Sequence, residues 1–206
     1  MKVIGILNQK GGVGKTTLAT CLSVAFGRHN KKVALIDLDP QATSCFWSDI
    51  RKQNRPAVVS IQPVRLKSII QGAKEAKTDI VIIDGAAIQK EIAYDVAQVA
   101  DYVLIPTKPA VFDVTSMQET IQILQQNKTP YSVILNMISP SGQEINDFKK
   151  LTKDLNIPLC NVSIGNRKDF FRAQNLGLAV QEYDEHCKGA QEIIQVYKYI
   201  NKQIYK

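Results

Sequence analysis

Short, wholly apolar runs alternate along this chain with longer segments whose apolar positions recur every three or four residues. Val3-Ile4-Gly5-Ile6-Leu7, Val33-Ala34-Leu35-Ile36, Ile80-Val81-Ile82-Ile83 and Val133-Ile134-Leu135 carry no polar side chain on either side of the pleat. Runs of that kind suit strands covered on both faces. The pattern predicts strands at 2–8, 32–37, 57–61, 79–84, 101–107, 131–137 and 158–163. Helices are expected near 15–29, 64–76, 89–99, 114–127, 143–154 and 187–204. Doubly apolar strands separated by helices imply an α/β fold, a mostly parallel, doubly wound sheet with helices on both faces. No linker, repeat or low-complexity stretch interrupts the alternation, so residues 1–206 read as a single domain. The first strand begins at once, which leaves no visible signal peptide and no room for an upstream helix-turn-helix extension.

Composition narrows the class. The 206 residues are 45% hydrophobic and 22% charged, as in an ordinary globular domain with a sizeable core. The longest apolar runs are strand-sized, well short of the ~20 residues that cross a bilayer. Cys21, Cys45, Cys160 and Cys187 are far apart and form no C-x-x-C pair, so they read as reduced thiols and not as a zinc or iron–sulfur site. His29 and His186 lie in polar helix-end contexts and read as surface residues, so no Ser/His/Asp triad is in prospect. The net charge of +7 favours an anionic partner, whether nucleic acid, membrane surface or nucleotide.

Ligands of open parallel sheets bind beyond the carboxyl ends of the strands. The chemically distinctive residues fall there. Asn8-Gln9-Lys10-Gly11-Gly12-Val13-Gly14-Lys15-Thr16-Thr17 joins the first strand to the first helix. Glycines let backbone N–H groups crowd around an anion, and the helix dipole adds positive potential. Gly14-Lys15-Thr16 fits the end of the P-loop pattern, with Lys15 reaching the β- and γ-phosphates and the Thr16 hydroxyl holding Mg²⁺. Gln9 stands where that pattern has its first glycine, and an additional lysine, Lys10, precedes the glycine pair. Asp37 and Asp39 close the second strand, with Pro40 stopping it. Asp84 closes the strand at 79–84, where it would meet Mg²⁺ through water, and Gly85 frees the loop that follows. Pro106-Thr107 and Asn136 end two later strands; Asp113 reads as the N-cap of the next helix.

The K-G-G-x-G-K-T-T run resembles the deviant Walker A motif of the ParA/MinD ATPases, P-loop NTPases whose fold would cover essentially this whole chain. Asp37-Leu38-Asp39-Pro40-Gln41 is similar to that family's second signature, and Asp84-Gly85-Ala86-Ala87 looks like the Walker B end of the small ParF-type partition ATPases, where many relatives have D-T-P-P. The resemblance implies ATP and Mg²⁺ as cofactors, with Gly11, Gly12, Val13, Gly14, Lys15, Thr16 and Thr17 around the phosphates. It implies that Lys10 reaches the partner's nucleotide in an ATP-dependent homodimer, that Asp39 orients the attacking water, and that Asp37 supports the metal shell of Thr16 and Asp84. Asn136 matches the asparagine that reads adenine in parts of the family, or is a turn-former; Pro106 is expected in the same pocket. No N-K-x-D signature favours GTP. The stretch Ile164 to Arg172 resembles the segment that precedes the last helices in partition ATPases, which makes Arg167, Lys168 and Arg172 candidate contacts for non-specific DNA; relatives have a proline where Gly165 stands. Lys198, Lys202 and Lys206 form a stripe at four-residue spacing on the final helix. That helix is either a core-packing element with solvated lysines, a DNA-binding face, or a membrane-binding one. The reading that follows is a cytoplasmic, nucleoid-associated ATPase for DNA partition, released from DNA when a centromere-binding, ParB-like protein stimulates hydrolysis. Its rivals are a MinD-like membrane-associated switch and an ATPase that positions a protein cargo.

Overall fold

The continuous apolar runs become the strands of one parallel sheet. The computed structural model describes residues 1–86, 90–139 and 142–206, and excludes the side chains of 111, 112 and 115. Strands β1 (Lys2–Ile6), β2 (Val33–Asp37), β3 (Ala57–Ser60), β4 (Ile80–Asp84), β5 (Tyr102–Thr107) and β6 (Tyr131–Leu135) lie in the order β3-β2-β4-β1-β5-β6, with every pair parallel. Helices α1 (Lys15–Arg28), α2 (Thr43–Asp49), α3 (Leu66–Glu75), α4 (Lys90–Val99), α5 (Val111–Gln126), α6 (Gln143–Asp154), α7 (Lys168–Asn175), α8 (Val180–Tyr183) and α9 (Lys188–Ile204), with a one-turn 3-10 helix at Pro63–Arg65 ahead of α3, complete the described elements.

The period-two geometry of β4 accounts for its unbroken apolar run. Ile80 and Ile82 enter one core with Leu18, Leu22 and Phe26 of α1 and Ile193, Val196 and Ile200 of α9. Val81 and Ile83 enter the other with Ile92 and Val96 of α4, Met117 of α5 and Phe148 of α6. Both faces are therefore covered, as a parallel sheet requires. The central strand β1 carries Gly5 where α4 comes nearest. A Cβ there would stand 2.7 Å from Val96 Cγ1.

Some expectations change. Segment 158–163 is not a strand. It follows β6 through Val133 N–H to Pro158 O at 2.8 Å and Cys160 N–H to Val133 O at 2.7 Å, then parts from it until Ile164 N–H meets Leu135 O at 2.9 Å. Pro158 has no N–H to add to a ladder. Helices α2, α7 and α8 are additional to the six expected ones. Helix α5 starts at Val111, before the expected 114, so its N-cap is Ala110 and Asp113 lies within the first turn. Ala87 and the expected helix start at 89 fall outside the described residues.

The final helix settles into the core. Ile193, Val196, Ile200 and Ile204 of α9 are buried, while Lys198 and Lys202 are exposed. Its apolar face is taken up by α1 and the sheet and is not available to a bilayer. Among the described residues no helix is long and apolar enough to cross a membrane. Ile200→Ala should therefore cost about 2–5 kcal/mol of unfolding free energy in urea, as for other buried isoleucines, whereas Lys202→Ala should stay within about 0.5 kcal/mol.

Candidate functional site

The loop between β1 and α1 is held open by glycine and braced from β5 and from the residue that follows β6. Gly12 and Gly14 take φ values of 68° and 89°, in the left-handed region. A Cβ at Gly14 would lie 2.3 Å from Asn136 Nδ2, whereas one at Gly11 or Gly12 would meet nothing within 4 Å, so those two turn toward open space. Buried Asn8 fixes the start of the loop: its Nδ2 donates to Pro106 O at 2.8 Å and its Oδ1 accepts the Lys10 N–H at 2.8 Å. Asn136 fixes the far side, donating from Nδ2 to Val13 O at 2.7 Å. No side chain caps α1, so its first N–H groups stay available to an anion.

The two lysines of the loop have different settings. Lys15 is buried, and its Nζ donates to Lys10 O at 3.1 Å. Burial pushes its pKa down, opposed by the carboxylates of Asp84 and Asp39. Lys10 is partly exposed and pairs with Asp113. Asp113 is thus no N-cap. It is a fully buried carboxylate whose Oδ2 has no partner, standing in α5 where it can hold a cation from the loop.

Asp37 and Asp84 end adjacent strands and are direct register partners. They are 0% and 1% exposed. Asp37 Oδ1 accepts the Asp39 N–H at 2.9 Å and its Oδ2 accepts the Ser44 N–H at 2.8 Å. It therefore caps α2 from a distance, since the residue preceding that helix is Ala42, at φ 49° and without a capping side chain. Both oxygens of Asp37 serve the backbone, which makes it a brace for the loop bearing Asp39. Half-buried Asp39 accepts the Gln41 N–H at 2.9 Å. Asp84 Oδ2 accepts the Ser44 hydroxyl at 2.8 Å, and its Oδ1 is buried with no partner. Burial, reinforced by the Asp37 charge, pushes Asp84 up to about 7, against the lowering effect of the Ser44 and Thr16 hydroxyls and Lys15. Burial likewise raises Asp37.

A buried carboxylate with one unpartnered oxygen, close to the Thr16 hydroxyl and to an open N–H cradle, fits a hard divalent cation carried in by a phosphate. Mg²⁺ would be held there by Thr16 and, through water, by Asp84. Among the described residues no group of three or more His, Cys, Asp or Glu could ligate a metal by itself. The metal's remaining ligands would have to come from water and phosphate oxygens.

Next to Thr17 lies a cavity of about 190 Å³ lined by Asn136, Met137, Asn166, Arg167, Phe170 and Phe171 among others. Pro106 is not among its walls. It stands inside β5, opposite Ile134, and contributes its carbonyl to Asn8. Arg167 lines the cavity and is tied to Glu192, with Nε to Oε2 at 2.9 Å. Lys168 and Arg172 are exposed on α7, and Arg172 lies 3.8 Å from Asp169. Sequence reasoning passed over Asn8, Ser44 and Asn166. Asn8 is adjacent to the glycine run, but only the closeness of β1 and β5 gives its amide a task. Ser44 follows the Asp39-Pro40-Gln41 turn, and only the β2–β4 register brings it onto two carboxylates.

A family model for the CobQ/CobB/MinD/ParA nucleotide binding domain matches residues 4–180. The maintenance of carboxysome distribution protein A of Gloeobacter kilaueensis is 26% identical over 215 aligned residues, spanning 98% of this chain and 94% of that protein. Protein ParA of Rhizobium radiobacter is 26% identical over 149 residues, 68% of this chain and 67% of its own length. The septum site-determining protein MinD of Pyrococcus horikoshii, solved with Mg-ADP, superposes with a TM-score of 0.82 at 22% identity, covering 98% of this chain and 96% of that one.

The buried carboxylate generates a pH prediction. The folded chain holds the Asp84 proton up to about pH 7, whereas the unfolded chain gives it up near pH 4. Stabilisation from the neutral carboxyl is present below about pH 4 and lost as pH rises to about 7. Without nucleotide or Mg²⁺, wild type should lose stability relative to Asp84→Asn by up to roughly 1.4 kcal/mol per pH unit across that window, and no further above it. Urea denaturation of both chains from pH 4 to 9 measures it. Parallel curves would contradict the assignment.

Proposed function

The chain belongs to the CobQ/CobB/MinD/ParA nucleotide-binding domain family and is a ParA/MinD-type ATPase, and from that premise we propose that it partitions DNA as an ATP-dependent dimer. The observation that carries the hydrolytic part is the convergence of Lys15, Thr16, Asp39 and Asp84 around one open cradle at the carboxyl edge of the sheet. In this reading the backbone N–H groups from Gly11 to Thr17 and the ammonium of Lys15 hold the phosphates of ATP. The Asn136 and Asn166 cavity receives the base. Mg²⁺, when bound, screens the phosphate oxygens. Asp39, on a loop braced by Asp37, orients a water toward the γ-phosphorus. The new P–O bond forms as the bond to the ADP oxygen breaks, and positioning contributes more than basicity in such a transfer.

Lys10 is the proposed link between subunits. In the single chain it rests on Asp113. Packed face to face with a second copy, it would instead reach the partner's phosphates. The exposed cations Lys168 and Arg172 of α7 and Lys198 and Lys202 of α9 supply the proposed contacts to the DNA backbone, which carry no sequence information. Arg167 has a weaker claim, because its guanidinium is engaged by Glu192. A centromere-binding, ParB-like protein would stimulate hydrolysis and return the dimer to free monomers. In this reading the protein works in the cytoplasm, on the nucleoid. A second reading keeps the ATPase and changes the load: likeness to a carboxysome distribution protein along 98% of the chain supports positioning of a protein body. A membrane-bound role is disfavoured by the occupied apolar face of α9.

Co-sedimentation with non-specific duplex DNA tests this reading. Binding should require ATP, fail with ADP, and weaken steeply with salt. Replacing Lys198 and Lys202 by alanine should lower the salt slope by about one for each lysine that had neutralised a phosphate. Asp39→Ala should retain ATP and stay on DNA because hydrolysis no longer releases it. DNA binding indifferent to nucleotide, or absent in the presence of bound ATP, would refute the partition reading.

A further inference from the structure

Ser44 engages both buried carboxylates at once. Its backbone N–H donates to Asp37 Oδ2 and its hydroxyl donates to Asp84 Oδ2, each at 2.8 Å. It is fully buried and stands second in α2. No side chain caps that helix locally. The N-terminus of α2 is consequently anchored by the two carboxylates, one of which keeps a single oxygen, Asp84 Oδ1, without a partner.

The anchor continues outward. Trp47, one turn along α2, is buried, and its Nε1 donates to Leu178 O at 3.2 Å. Arg51, just beyond the helix, lies 4.3 Å over the Trp47 ring. Its Nη2 pairs with Glu182 of α8 at 2.8 Å, and its Nη1 donates to Gly177 O at 2.8 Å. A buried ion pair of this kind is costly to break, so α2 and the α7–α8 corner are tied as one body.

We propose that Ser44 is a positioning residue: it turns Asp84 so that only Oδ1 is offered to Mg²⁺, and it makes the setting of α2, with Trp47, depend on whether the metal–nucleotide site is loaded. The proposal rests on the reading of this edge as a Mg²⁺·ATP site. Drawn toward a cation on its Oδ1 side, the Asp84 carboxylate would pull against its Oδ2 bond to the Ser44 hydroxyl. That bond leads straight into the first turn of α2, whose N–H is held in turn by Asp37. The same helix follows the loop that carries Asp39, so the metal shell and the water-orienting carboxylate share one support.

Trp47 is the chain's single tryptophan, so intrinsic fluorescence reports on α2 directly. Mg²⁺ is titrated into wild type, Ser44→Ala and Ser44→Thr at saturating ATP, with Trp47 emission followed. Affinity for a fluorescent ATP analogue is measured separately in EDTA and in Mg²⁺. In wild type, Mg²⁺ should change the emission and tighten the analogue. In Ser44→Ala the Mg²⁺ midpoint should rise roughly 10- to 100-fold, the usual cost of losing a partner to a metal-facing group. Its affinity in EDTA should stay at the wild-type value, and Ser44→Thr should restore the midpoint. Ser44→Cys, of similar shape but a weaker donor, gives the same reading if the alanine chain does not fold. An unchanged midpoint, or equal losses in EDTA and Mg²⁺, would overturn the proposal and leave Ser44 a packing residue. If wild type binds no analogue at all, the ATP reading itself falls, and this inference with it.

Discussion

Two carboxylates that face each other across neighbouring strands, both out of reach of water, govern this edge of the sheet. Asp37 and Asp84 are register partners at the ends of β2 and β4. Like charges in such a setting resist ionising together, and burial resists either one. Backbone N–H groups and the Ser44 hydroxyl take up the oxygens of Asp37 and one of Asp84, and Lys15 adds nearby positive charge. One oxygen of Asp84 remains without a partner. That unpartnered oxygen supports the proposal that this edge of the sheet receives metal and phosphate together.

That constraint also orders the surrounding elements. Lys15 can stand beside Asp84 because α1 springs from the end of β1, the strand paired with β4. The glycine turn has its curvature because Asn8 and Asn136 tie it to β5 and to the end of β6. Helix α2 starts where it does because Asp37 caps it across the chain. Lys10, which pairs outward with Asp113 of α5, is the loop cation least committed to its own site. This difference between the two lysines, one buried over its own carboxylates and one near the surface, supports the proposal that they serve different subunits' nucleotides.

The strands and the phosphate loop were legible because each depends on neighbours in sequence. Ile80 to Ile83 are apolar whichever way they face, and Gly12 and Gly14 sit where the backbone turns left-handed. What stayed hidden depends on register and distance. Helix α2 has no local cap, since its capping carboxylate is several residues back on another element. Asp113 looked like a cap because an acid before an apolar period usually is one, yet α5 had already begun at Val111 and the side chain turns inward to Lys10. The apolar alternation from Pro158 to Ser163 suggested a seventh strand, but only scattered bonds to β6 form. Arg167 read as a surface cation until Glu192 of α9 came beside it.

The proposed role of Asp84, a buried acid with one free oxygen that meets a nucleotide-borne cation, has a direct thermodynamic signature. Burial, reinforced by the Asp37 charge, holds the Asp84 proton well above the usual carboxylate range, and a Mg²⁺-bound water donating to its free oxygen would displace that proton. Calorimetric titration of Mg²⁺·ATP in buffers of different ionisation enthalpy counts the protons exchanged. Relative to Asp84→Asn, wild type should release additional protons near neutral pH, the excess fading toward zero by about pH 9. Equal proton counts for the two chains at every pH would contradict the account.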